Sequence, residues 1–145
     1  MYSFFLHLHS VLRYVVLLLI LLAIIMAWAG WMGRKPYGEG NRKLNLFALI
    51  SVHTQLLVGF VLYFLSPFVQ FTSTMMKERD TRYWTVEHLT AMIIAIILIT
   101  VGHSKSKKAS LPEGKHRAIA IYYTLALVII IVTILLSKRA LLGMS

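Results

Sequence analysis

The stretch Glu87–His103, EHLTAMIIAIILITVGH, is apolar almost throughout and carries a histidine near each end. A helix needs ~20 apolar residues to cross the ~30 Å hydrocarbon layer of a bilayer, and this segment with its flanks has that length. Three more stretches have the same character, which predicts spans over about 4–32, 44–66, 83–104 and 117–137. Charge is confined to short islands between them, and only five of the 145 residues are acidic. With 59% hydrophobic residues and a mean hydropathy of +0.76, the composition lies well outside that of soluble domains. The expected fold is all-α: a polytopic four-helix transmembrane bundle, with residues 1–145 forming a single domain.

The N-terminal run has no basic segment before it and is too long for the core of a cleavable signal, so the first span is expected to stay in the mature protein. With no cysteine in the chain, disulfides, thiolate metal sites, iron–sulfur clusters and covalent haem attachment are excluded. The net charge of +10 would suggest nucleic acid in a soluble protein. Here the basic residues flank the spans, where anionic lipid and membrane topology account for them, so lipid is the expected partner and nucleic acid is not.

Four spans place both termini on one side. The loops on the opposite side carry nine basic residues: Arg34, Lys35, Arg42, Lys43, Lys105, Lys107, Lys108, Lys115 and Arg117. The terminal side carries six: Arg13, Lys77, Arg79, Arg82, Lys138 and Arg139. The excess makes the loop side cytoplasmic and both termini external. Trp28, Trp31, Tyr83 and Trp84 read as interfacial aromatics.

Five of the six histidines fall within or at the edges of spans: His7, His9, His53, His88 and His103. Ionisable groups there are costly and face the bundle interior. His116 stands in a basic loop and is expected to be solvated. His88 and His103 are fifteen residues apart. That is ~22 Å along a helix and about 60° from whole turns, so both imidazoles lie on roughly one face, one near each side of the membrane. Two stacked haems stand about that far apart, and neutral imidazole is a strong ligand for haem iron.

Each haem would need a second imidazole from another helix at similar depth. His9 matches His88. His53 is the partner left for His103, although it lies deeper from the loop side unless the third helix runs on through SKSKK. His7 and His9 differ by ~200° around a helix, so only one can face a shared ligand. His9 is preferred because Arg13 lies one turn on and could meet a propionate; His7 is the fallback. Thr54, Gln55 and Thr90 are near enough to fix ring nitrogens. Gly59 and Gly102 could admit a flat macrocycle or serve helix packing. A proton relay and a polar packing cluster are the competing uses of the histidines.

On these residues the chain resembles membrane b-type cytochromes. The Glu87–His103 stretch is similar to the helix that ligates both haems in dihaem cytochromes b, and the four-helix size resembles the bacterial cytochrome b-561 type and the small cytochrome B proteins of Bacteroidetes-like bacteria. It departs from the b-561 pattern in having its two-histidine helix third rather than last. The resemblance implies haem b as cofactor, two per chain or one, with His9 and His53 as single axial ligands and His88 and His103 as the paired ones. It further implies electron transport in a bacterial inner membrane and an oxidoreductase link to quinone or quinol; the termini are usually cytoplasmic in the b-561 type, whereas the charge count here makes them periplasmic. Glu87 would then be a candidate proton acceptor for quinol. The alternatives are a haem-bearing anchor subunit that docks a redox partner protein, and a haem-free accessory protein. A homodimer or membership of a larger complex is compatible with each.

Overall fold

A computed structural model describes residues 2–65 and 88–136, with side-chain surroundings from residue 3 onward. Four helices make up the described chain: α1 (Tyr2–Met32), α2 (Glu39–Leu65), α3 (His88–Lys108) and α4 (Pro112–Leu136). All four are long and apolar enough to cross a membrane, which makes this a multi-pass membrane protein built as a four-helix bundle. The third helix runs on through the SKSKK stretch to Lys108, beyond the end expected at 104. The first turn of α2 begins at Glu39, five residues before the expected start. Residues 66–87 lie outside the described part, and with them the expected start of the third span at 83, Tyr83, Trp84 and Glu87.

The helices carry apolar residues on all faces, as lipid-exposed helices do. Leu18, Ile25, Leu57, Phe64, Val128 and Leu135 all stand more than half exposed on the outer surface. Inside, small residues let the backbones approach: Ala23, Ala27, Ala48, Ala95, Ala120 and Ala126 are buried. Ile20, Ile99, Ile119 and Tyr123 fill the space between them. Going round the bundle, α1 packs on α2 and α4, and α3 packs closely on α4, while the α2–α3 seam is the loosest of the four.

The helix ends are set by local chemistry. At the end of α1 the Lys35 amide donates to Gly30 O (2.9 Å) and the Arg34 amide to Trp31 O (3.4 Å), the paired bonds of a Schellman cap. The left-handed residue of that cap is Arg34 (φ 51°), not the neighbouring Gly33. The Gly38 amide donates to Asn41 Oδ1 (3.1 Å) at the start of α2. Pro112 opens α4 at the first helical position, where its missing N–H costs nothing.

His116 corrects the expectation of a solvated side chain. It is 1% exposed. Its Nε2–H donates to both Lys35 O and Pro36 O at 3.2 Å, and its ring meets Tyr37 edge-on at 5.2 Å. A Cβ on Gly30 would reach the imidazole at 2.4 Å, so glycine is what admits the ring. The network continues inward: Asn45 Nδ2 donates to Tyr37 Oη (2.9 Å), and the buried Tyr123 hydroxyl donates to Asn45 O (3.0 Å). The sequence placed His116 by its charged neighbours. Helix α4 begins five residues earlier than the expected 117, and this turns the imidazole under the α1–α2 loop.

Candidate functional site

The bundle brings His9 of α1 and His88 of α3 together across its centre. Their ring centroids are 6.4 Å apart and their planes are inclined at 73°. His7, two residues before His9, is exposed on the outer side. The 6.4 Å separation lies in the range of about 4.5–7 Å of ordinary edge-on ring contacts. Neutral imidazole is a strong iron ligand, and His9 and His88 are the residues that would hold a haem iron between α1 and α3.

The surroundings of His9 fit a ligand as well. His9 Nδ1 is buried and has no hydrogen-bond partner among the described residues. Gln55 Nε2 donates to the backbone carbonyl of His9 (2.9 Å), tying this turn of α1 to α2. Gln55 Oε1 is also buried without a partner among the described residues. Gly59, one turn beyond Gln55, faces the same ring; a Cβ there would lie 3.6 Å from His9 Cε1. Arg13, one turn on from His9, is half-buried, with its guanidinium directed at Tyr14: Nη2 donates to the hydroxyl at 3.4 Å and the charge lies 5.2 Å from the ring centroid.

The second expected pair is not assembled in the same way. His53 and His103 make no ring contact. His53 stands exposed on the α2–α3 seam, and its Nε2 lies 3.1 Å from Thr100 Oγ1. The Thr100 hydroxyl gives its own proton to Ile96 O (2.7 Å), so it accepts the His53 Nε2–H. His103 lies one turn further along α3 than Thr100, half-buried, with Nδ1 enclosed and unpartnered among the described residues. Gly102 serves helix packing: a Cβ there would strike Tyr122 Cβ at 2.4 Å. Thr54 bonds its own helix at Ile50 O, and Thr90 is exposed. Among the described residues no group of three or more His, Cys, Asp or Glu side chains converges. What the bundle offers is therefore a pair of imidazoles that meet edge-on.

Thr100 is the residue that sequence reasoning missed. Its hydroxyl stands one turn before His103 on α3 and is recognisable as a partner of His53 only once α2 and α3 are set side by side. Comparison of the chain with protein-family models, with curated proteins and with solved structures finds no match.

Proposed function

We propose that this chain is a membrane electron-transfer protein in which haem b is held between α1 and α3 by His9 and His88. The single observation that carries the reading is the 6.4 Å separation of the two imidazoles across the bundle. A bis-imidazole haem supplies reversible one-electron transfer when bound. The chain's part is to bring the two imidazoles together across the bundle and to fix His9 through Gln55 and the small surface of Gly59. A second haem near His53 and His103 would complete a path across the bilayer to a quinone pool, in a bacterial inner membrane with the basic loops cytoplasmic. That haem requires His53 to leave Thr100.

The His53–Thr100 bond favours a second reading, a single-haem anchor or accessory subunit that passes electrons to a partner protein. The test is an absorption spectrum of the detergent-purified protein, oxidised and reduced, with a haem count per chain. Sharp six-coordinate b-haem bands at two per chain support the wire, and at one per chain the anchor. A colourless protein that takes up no added haem ends both readings and leaves the histidines as polar packing groups.

A further inference from the structure

At the end of the bundle that carries the α3–α4 turn, a hollow of about 510 Å³ lies between these two helices. Lys105 and Lys108 of α3 and Arg117 of α4 line it. All three are exposed and none has an acidic partner, for among the described residues the ion pair is Arg42 with Glu39. The neighbouring Lys115 differs: its ammonium donates to Ser106 O (3.1 Å) and Lys107 O (3.3 Å) and closes the turn.

The hollow exists because its floor is made of small residues. Ala109 and Gly114 meet there, and a Cβ on Gly114 would stand 3.2 Å from that of Ala109. Its far wall is Ala118, Ile121 and Tyr122. Ile121 and Tyr122 lie four and five residues beyond Arg117, which places them ~6–8 Å further into the span. Tyr122 is held in place against Gly102. The surface is thus cationic at its mouth and apolar below, and the first turns of α4 add the positive end of a helix dipole.

We propose that this hollow binds an anionic phospholipid, with the headgroup phosphate among Lys105, Lys108 and Arg117 and the first acyl carbons along Ile121 and Tyr122. Free phosphate shares the headgroup chemistry and lacks the chain that the apolar wall would hold. The site is independent of the histidines and of any cofactor.

The test compares thermal melting of the detergent-purified full chain with added phosphatidylglycerol, phosphatidylcholine or inorganic phosphate. Phosphatidylglycerol is expected to raise the melting temperature, and the other two to leave it in place. The triple variant Lys105→Gln, Lys108→Gln, Arg117→Gln should bind phosphatidylglycerol roughly a hundredfold more weakly, about fivefold for each cation lost. Lys107→Gln, outside the hollow, should keep full affinity. Ala118→Leu narrows the hollow without changing charge and must weaken binding too. Equal protection by inorganic phosphate overturns the lipid assignment. Equal protection by phosphatidylcholine, or undiminished phosphatidylglycerol binding in the triple variant or in Ala118→Leu, overturns the site.

Discussion

The imidazoles of His9 and His88 meet edge-on across the bundle, 6.4 Å between centroids, although α1 and α3 stand diagonally and share little other contact. Ionisable rings inside an apolar bundle are costly, and a metal ion shared between them would offset that cost. If an iron between them does so, each ring is indispensable to it. His88→Ala and His9→Ala should each abolish the same bound haem, read as loss of the six-coordinate spectrum at that site, while His7→Ala leaves the spectrum unchanged. Full haem content in both of the first two variants would remove this pair from the ligand set.

Gly59 sets how much room His9 has. A methyl group there would sit 3.6 Å from His9 Cε1, an ordinary contact, so Gly59→Ala should retain haem at the parental level. A leucine would extend into the ring's space and push it from the axis toward His88. Gly59→Leu should therefore lose haem while the helical signal in circular dichroism stays as it was. Equal retention by both variants would show that His9 does not work from its present position.

The other tight glycine tests the fold. Gly30→Ala places a methyl group 2.4 Å from the His116 ring, which is buried and hydrogen-bonded to Lys35 O and Pro36 O. Overpacking of this kind costs about 1–3 kcal/mol. The melting temperature in detergent should fall by that measure, with the absorption spectrum unaffected, because His116 lies at the opposite end of the bundle from the His9–His88 pair. An unchanged melting temperature would mean that the α1–α2 loop yields easily.

The fold was legible because lipid leaves one solution for long apolar segments, namely helices with every backbone group bonded internally. Depth along a helix was legible for the same reason: the rise per residue placed His9 level with His88 before any tertiary contact was known. Rotation and helix ends were harder. His116 looked solvated because Lys115 and Arg117 flank it, yet α4 begins at Pro112 and its turn directs only the middle residue inward. The competition for His53 was illegible for another reason. Thr100 reads as an ordinary span residue until α2 and α3 are set side by side, when its hydroxyl meets an imidazole from the other helix.

That competition yields the prediction on which the haem count turns. His53 gives its Nε2 proton to Thr100, whose own proton is committed to Ile96 O. An Nε2 that donates a hydrogen bond is not at that moment an iron ligand. Thr100→Val keeps the side-chain shape and deletes the acceptor. The His9–His88 pair, more than two turns of α3 away, should keep its haem, and the fraction of chains carrying a second haem should rise because nothing now holds His53 back. Pyridine haemochrome counts on wild type and variant measure this directly. If both counts stay at one, His53 belongs to helix packing. The variant should then melt lower through loss of one interhelical hydrogen bond, about 0.6–2 kcal/mol within a membrane, with no change of colour.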